Sequence, residues 1–263
     1  MTKSPPETQD KLTALRAATP ARIFLARAGL ALTTQANLKF QLDHAEARDA
    51  VHERLDVETL TEVLRSRRLD VLRLASAAPD RHTYLLRPDL GRKLDQASRV
   101  ALARLAGDYD IAFVIADGLS ARAISSHAVA LLDQALPAFR RDSWKLAPTV
   151  LVEQGRVAIG DEIGEILGAR LVAVLIGERP GLSSPDSLGV YLTFAPRIGR
   201  TDAERNCLSN IRRGGTSYFE GAQRLFHLCG EARRRKLTGV ELKDETPLVK
   251  CDDRAGQLDN PQK

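Results

Sequence analysis

The sequence predicts an α/β fold, a Rossmann-like, mostly parallel sheet with helices on both faces, preceded by a helical N-terminal region. Two observations lead to this prediction. After residue 107, short continuous apolar runs alternate with stretches of helical periodicity, which is typical of parallel strands buried on both faces. Before residue 107, apolar residues recur mainly at helical spacing.

The first part of the chain is predicted to contain few strands. Residues 1–10 are polar and proline-containing, so we expect a flexible tail, and residues 11–106 are expected to form the mainly helical region. A short extended stretch at residues 83–86 and a proline-containing turn interrupt it. A further helix is expected from residue 94 to residue 105, because apolar residues follow one another there at spacings of three and four.

Residues 107–242 are predicted to form the Rossmann-like domain, and residues 243–263 a second flexible tail. The apolar runs predict four strands, at residues 110–116, 148–152, 170–176 and 190–194. Helices are expected between them, over residues 120–136 and 160–167. The final helix is predicted to begin at Ser217, which forms a capping-box pattern with Glu220, and to end before Gly239.

Composition excludes several classes of protein. The chain has 263 residues, 43% of them hydrophobic, and no apolar run approaches the roughly 20 residues that a membrane-spanning helix needs. Its net charge of +5 is spread along the sequence, apart from the run Arg233 to Lys236, and it has only one Trp, four Tyr and seven Phe for stacking on bases. We therefore expect a soluble protein that binds neither nucleic acid nor a membrane.

The common signatures of catalytic and metal sites are incomplete. Three cysteines, at positions 207, 229 and 251, form no CxxC pair, so neither a disulfide framework nor a zinc site is expected, and a reducing cytoplasm fits best. His52 and Glu53 begin an HExxH pattern, but Asp56 stands where the second histidine belongs. The glycines at 160, 164 and 168 do not match the dinucleotide-binding pattern, and no nucleophile elbow is complete. No metal site and no nicotinamide cofactor are predicted.

A ligand site in such a sheet is expected beyond the carboxyl ends of the strands. The loop at residues 177–187 follows the most apolar strand and begins with Glu178, which could accept hydrogen bonds from ligand amides or pair with Arg179 in a rigid turn. A second polar segment, 201–212, contains Cys207, interpreted as a small buried thiol that lines a pocket. A third, 155–164, is either a ligand-facing loop or a plain connection between a strand and a helix.

Several of these segments together resemble one family. They are RAG at residues 27–29, FQLDHAEARDAV at 40–51, YLLRPDLGRKL at 84–94, ADGLSARAI from residue 116, GRVAIGDEIGEILGA at 155–169, IGERPGLSSPDSLGVYLTFAPR at 176–197 and TDAERNCLSNIRRGG at 201–215. In this order and over about residues 12–242, the chain resembles the small (light) subunit of ethanolamine ammonia-lyase.

The resemblance implies an adenosylcobalamin-dependent lyase that converts ethanolamine to acetaldehyde and ammonia by radical chemistry. It implies that the substrate lies in the large subunit, that the small subunit closes over the cobalamin at the interface of a hetero-oligomer, and that no residue of this chain is catalytic. Carried over by motif, the expected cobalamin contacts are Val157, Glu178 and Cys207, in three of the segments quoted above. A cytoplasmic location is expected, with a bacterial microcompartment as the other location that the family implies.

The five histidines bear on how the cofactor would bind. None of them lies in the DxHxxG pattern of proteins that replace the benzimidazole base with a histidine, so the resemblance implies a base-on cofactor without a protein ligand to cobalt. A different class of function is the alternative: a non-catalytic Rossmann-like module that binds a nucleotide or an acidic partner through Arg233 to Lys236. That run is also interpreted as a solvated helix end, where cations suit the helix dipole.

Overall fold

The computed structural model describes residues 6–19, 21, 23–25 and 27–247. Its helices are α1 (Pro6–Ala17), α2 (Thr34–His52), α3 (Val57–Ser66), α4 (Arg81–Leu86), α5 (Gln96–Ala103), α6 (Ala121–Ala123), α7 (Val129–Arg141), α8 (Ile159–Leu167) and α9 (Tyr218–Arg235). Its strands are β1 (Arg27–Ala28), β2 (Ala31–Leu32), β3 (Val71–Ala75), β4 (Tyr109–Ala116), β5 (Thr149–Glu153), β6 (Ala169–Gly177), β7 (Leu188–Phe194) and β8 (Asn206–Ile211). A π-helical turn at Ile124–Ala128 joins α6 to α7.

Six of the strands form one mixed sheet in the order β3-β5-β4-β6-β7-β8. The first four are parallel, and β7 and β8 extend the sheet in antiparallel pairing, while β1 and β2 pair separately. The expected α/β fold with a mostly parallel sheet and a helical N-terminal region is confirmed. The four predicted strands correspond to β4, β5, β6 and β7, each within two residues of its predicted ends.

Three segments differ from the expectation. The stretch at residues 83–86 is the end of helix α4, because Asp80 caps this helix by accepting a hydrogen bond from the backbone N–H of Thr83 at 2.8 Å. The sheet takes its edge strand β3 from the region expected to be mainly helical. The polar segment around Cys207 is the strand β8, in which Leu208 and Ile211 are buried and the side chains between them are exposed.

Helices cover the two faces of the sheet over two separate cores. On the first face, α7 and α9 pack over Ile111, Phe113 and other alternate residues of the strands. On the second face, α5 and α8 pack over Val114, Val174 and their neighbours. Gly160 lets α8 approach β6 closely, because a Cβ there would overlap the Val174 side chain.

The second face of the sheet is only partly covered. Helix α8 packs on β6 and β4, and β7 and β8 extend the sheet beyond it. On this face Tyr191 of β7 lies beside Val174 of β6, and Cys207 of β8 lies beside Tyr191. Tyr191 is half-buried and Cys207 is exposed. The sheet extension therefore presents an open face next to the first turn of α8.

Candidate functional site

The carboxyl ends of β4 and β5 are two of the strand ends at which a ligand is expected in such a sheet. The loops that follow these two strands are hydrogen-bonded to each other. Asp117 follows β4 and accepts hydrogen bonds from the backbone N–H groups of Gly118 (2.9 Å) and Gly155 (3.1 Å). Burial raises the pKa of Asp117 to about 6, although the Arg81 guanidinium 3.5 Å away favours the charged form. These contacts hold together the loops that follow the two strands.

Glu178 directly follows β6 on that edge and is half-buried. Its Oε2 accepts hydrogen bonds from the Ser187 hydroxyl at 2.5 Å and the Asn210 backbone N–H at 3.3 Å. Within the described part of the chain, Oε1 accepts no hydrogen bond and Arg179 forms no ion pair with the carboxylate. The side chain packs closely on Gly189 of β7, where a Cβ would lie 2.9 Å from Oε1 and displace it. One oxygen of a firmly held carboxylate is therefore available to a hydrogen-bond donor.

Cys207 lies on the open face of β8, opposite Tyr191. The expectation of a buried thiol is wrong, because β8 is the edge of the sheet and α8 does not reach it. Desolvation by the surrounding atoms and the negative charge of Glu178 raise the pKa of the Cys207 thiol, while its hydrogen bond with Tyr191 lowers it. A thiol with a raised pKa is a poor nucleophile at neutral pH.

Val157 lies in the turn between β5 and α8 and packs against the second core. It lines a groove of about 880 Å³ between the first turn of α8 and the loop at residues 198–205. Its carbonyl accepts from the Gly160 backbone N–H at 3.1 Å. Among the residues described, the Val157 backbone N–H donates no hydrogen bond. Val157 thus gives the groove an apolar side chain and has a backbone donor without a partner in that part of the chain.

Tyr191 connects the three predicted contact residues. It lines the same groove as Val157, and its side chain is hydrogen-bonded to Cys207. Burial raises the pKa of Tyr191, and Cys207 and the negative charge of Glu178 raise it further. The sequence alone does not point to Tyr191 as a site residue. It is the one large side chain with a polar group in the mostly apolar strand β7, but its neighbours become known only with the strand order.

A buried ion pair fixes the two walls of the groove. Arg205, just before β8, donates to both carboxylate oxygens of Asp161 in the first turn of α8, at 2.6 and 2.7 Å. Both side chains are 2% exposed. Arg205 also donates to the Thr193 hydroxyl at 3.0 Å and to the Arg200 carbonyl at 2.9 Å. This bidentate geometry sets the position of β8, and hence of Cys207, relative to Val157.

The loop that carries Glu178 is held at its other end by His127, which lies in the π-helical turn and is buried. Its Nε2 lies 3.1 Å from Asp186 Oδ2, and its Nδ1 lies 2.8 Å from the hydroxyl of Tyr218. The Ser120 hydroxyl donates to the carbonyl of Pro185 at 2.8 Å. These contacts order the loop between Glu178 and β7.

The other candidate features of the sequence, including the cationic run Arg233 to Lys236, do not form a ligand site among the described residues. Arg233 stacks on Trp144, with 4.9 Å from its guanidinium carbon to the ring centre, and Arg234 pairs with Glu231, so these cations have local partners. In the ranges that the structure describes, no group of three or more His, Cys, Asp or Glu side chains could hold a metal ion. Nor is any described helix long and apolar enough to cross a membrane. Cys251 and most of the predicted C-terminal tail lie outside the described residues.

Comparison with known proteins gives a consistent result. The family model for "Ethanolamine ammonia-lyase light chain (EutC)" matches residues 9–243. The ethanolamine ammonia-lyase small subunit of Azotobacter vinelandii is 55% identical over 256 residues, covering 96% of this chain and 95% of the relative. That of Xanthomonas campestris pv. campestris is 57% identical over 250 residues, covering 93% and 92%. That of Pseudomonas fluorescens is 52% identical over 260 residues, covering 97% and 95%. The chain therefore belongs to the ethanolamine ammonia-lyase light chain family.

Proposed function

We propose that this chain is the small subunit of an adenosylcobalamin-dependent ethanolamine ammonia-lyase and binds the cofactor at its interface with the large subunit. The proposal rests on family membership over nearly the whole chain together with one structural observation. Glu178, Tyr191 and Cys207 lie together on the open part of the sheet, and the groove lined by Val157 adjoins them. A site that is open on one side suits a ligand shared with a second subunit.

The residues of this surface fit the periphery of a corrin, which carries neutral amide side chains around a broad, largely apolar ring. Glu178 Oε1 is placed to accept a hydrogen bond from an amide N–H, and the Val157 backbone N–H to donate one to an amide oxygen. The side chains of Val157 and Cys207 offer apolar contact. Glu178 is held from behind by Ser187 and Asn210, so it needs little reorganisation to bind.

When bound, adenosylcobalamin supplies the carbon radical that starts the conversion of ethanolamine to acetaldehyde and ammonia. The role proposed for this chain is to bind and orient the cofactor and to exclude water from the side that it covers, while the substrate lies in the large subunit. None of the described residues that line the groove is a histidine, and both ring nitrogens of His127 have partners. The proposed cofactor is base-on without a cobalt ligand from this chain, as the resemblance implies.

The first experiment is reconstitution. The chain and the large subunit encoded with it are co-purified, supplied with adenosylcobalamin and ethanolamine, and assayed for acetaldehyde, with each subunit alone as a control. We expect activity from the pair only. Absence of both activity and a spectral change of cobalamin would contradict the proposal and favour a non-catalytic binding module. Cell fractionation decides between a cytoplasmic location and a microcompartment.

The contact residues are tested by titrating adenosylcobalamin into the assembled enzyme and following its absorbance. Loss of a hydrogen bond to a charged acceptor predicts that Glu178→Ala weakens affinity by about tenfold or more. Glu62→Ala, which removes an exposed glutamate of α3, serves as the matched control and should leave affinity unchanged. Equal affinities of Glu178→Ala and the control would remove Glu178 from the site.

A further inference from the structure

The groove beside Val157 has one strongly cationic end. Other cations that line it are neutralised within the protein, since Arg99 pairs with Glu162 at 2.5 Å and Arg205 with Asp161. The cations at the end formed by Arg92, Lys93 and Arg156 differ. Across residues 6–19, 21, 23–25 and 27–247, none of these three forms an ion pair with a carboxylate.

Arg156 is the most constrained of the three. Its guanidinium stacks on the ring of Tyr84, with 4.2 Å from the guanidinium carbon to the ring centre. Nη2 donates to the Tyr84 carbonyl at 3.3 Å. Nε is buried and has no hydrogen-bond partner among the described residues. Nη1 forms no hydrogen bond among those residues, so the N–H groups of Nη1 and Nη2, held in one orientation, are left to bind an oxyanion through two parallel hydrogen bonds.

Arg92 and Lys93 are brought to Arg156 by a close backbone approach. The Arg156 backbone N–H donates to the carbonyl of Gly91 at 2.7 Å. A Cβ at Gly91 would lie 2.9 Å from Arg156 Cγ and 3.0 Å from the Gln154 carbonyl oxygen, so only glycine allows this contact. The 3-10 turn Leu90–Arg92 is thereby fixed against Arg156, and both cations that follow Gly91 line the groove.

Cobalamin carries one anionic group, the phosphodiester that links the corrin to the benzimidazole nucleotide, and its other peripheral groups are neutral amides. We propose that Arg92, Lys93 and Arg156 bind this phosphodiester, with Arg156 as the bidentate donor and the other two as point charges. The proposal rests on the proposed function. It assigns the nucleotide tail to the cationic end of the groove and the corrin to the open face near Glu178.

The test compares two ligands on the assembled two-subunit enzyme by absorbance titration. Adenosylcobalamin contains the phosphodiester, whereas adenosylcobinamide lacks the nucleotide and its phosphodiester. We expect Arg156→Met to weaken the affinity for adenosylcobalamin by about tenfold or more. The affinity for adenosylcobinamide should change by less than about twofold. Arg156→Lys should give an intermediate loss of affinity, because lysine keeps the charge but lacks the two parallel N–H donors of the guanidinium. Arg104→Met, which removes an exposed cation at the end of α5, is the matched control.

A second variant tests the same proposal if Arg156→Met fails to fold. Arg92 and Lys93 are exposed, so Arg92→Met combined with Lys93→Met should leave subunit assembly intact. This double variant should weaken the affinity for adenosylcobalamin but not the affinity for adenosylcobinamide. Adenosylcobalamin affinity of the wild type should fall with added salt more steeply than that of this double variant.

Several outcomes would overturn the assignment. Equal losses for the two ligands, or no loss for either, would remove the phosphodiester from this end of the groove. AMP carries a nucleotide phosphate, as a monoester, without a corrin. If AMP bound more tightly than adenosylcobalamin and Arg156→Met abolished its binding, the cations would belong to a nucleotide site. Failure of the wild-type assembly to bind either corrinoid would instead reject the proposed function itself, and this inference with it.

Discussion

The buried ion pair between Asp161 and Arg205 is expected to be the most sensitive polar contact in the groove. The perturbation is a double-mutant cycle made of Arg205→Met, Asp161→Leu and the combined variant. Burial opposes both charges and raises the pKa of Asp161, whereas hydrogen bonds and the charge interaction with Asp161 leave the pKa of Arg205 raised. The bidentate contact, at 2.6 and 2.7 Å, is the geometry of an ionised pair. Arg205→Met leaves the buried Asp161 carboxylate without its partner, and Asp161→Leu leaves Arg205 with only the exposed Asp202 carboxylate, 3.4 Å from Nε.

The structure sets the expected magnitudes. Both side chains are 2% exposed, so solvent cannot compensate either charge, and each single variant should lose about 3–5 kcal/mol in the free energy of unfolding. The combined variant removes both charges but leaves the Thr193 hydroxyl and the Arg200 carbonyl without the donor they have now. We therefore expect it to lose about 1–3 kcal/mol, less than either single variant.

The assay is urea unfolding of the purified chain, with the slope of the transition checked for each variant. Arg234→Met is the control, because its partner Glu231 forms an ion pair on the surface, where the loss should stay below about 1 kcal/mol. If the two single losses simply added in the combined variant, the pair would not be energetically coupled. The claim that it fixes β8 against α8 would then be wrong.

Three further predictions concern the backbone and the buried carboxyl group. Gly177→Ala should destabilise the chain by about 2 kcal/mol or more in thermal unfolding, because the new Cβ would overlap the Ser120 carbonyl and lie 2.7 Å from that of Asp117. Gly230→Ala, in the exposed middle of α9 with no atom within 4 Å of the new Cβ, should stabilise it by about 1 kcal/mol. Asp117 binds its proton more tightly in the folded state, since its pKa is raised from 3.8 to about 6. The contribution of this group to the free energy of unfolding therefore falls by about 2 kcal/mol as pH rises from 4 to 6, and a pH series of unfolding curves should show that Asp117→Asn lacks this fall.

The central strands could be predicted from the sequence because they are buried on both faces and therefore read as unbroken apolar runs. β4 and β6 are of this kind. The edge strands could not be found in this way. β3 includes the exposed Arg73, and β8 alternates buried Leu208 with exposed polar residues, so each resembles a loop or a helix end. Long-range pairing with β5 and β7 makes them strands.

The candidate site was only partly predictable for a related reason. Glu178 and Val157 could be placed in loops at the carboxyl edge, but their roles as cobalamin contacts came from the resemblance and remain predictions. Cys207 was assigned to a buried position because its strand was not recognised. Tyr191 was not singled out, since its contacts with Cys207 depend on an antiparallel register that no local pattern encodes.

The open part of the second face explains why such a site needs a partner. Gly160 allows α8 to lie close over β6, and on that side of the sheet Tyr191 of β7 stays half-buried and Cys207 of β8 exposed. Glu178 is held in place yet has one oxygen free, and a large ring lying on this surface would be covered on one side only. A ligand bound here would keep its opposite side in water until a second protein surface covered it, and that surface would add a comparable share of the apolar burial. We therefore expect the isolated chain to bind cobalamin much more weakly than the two-subunit assembly, and equal affinities would contradict a shared site.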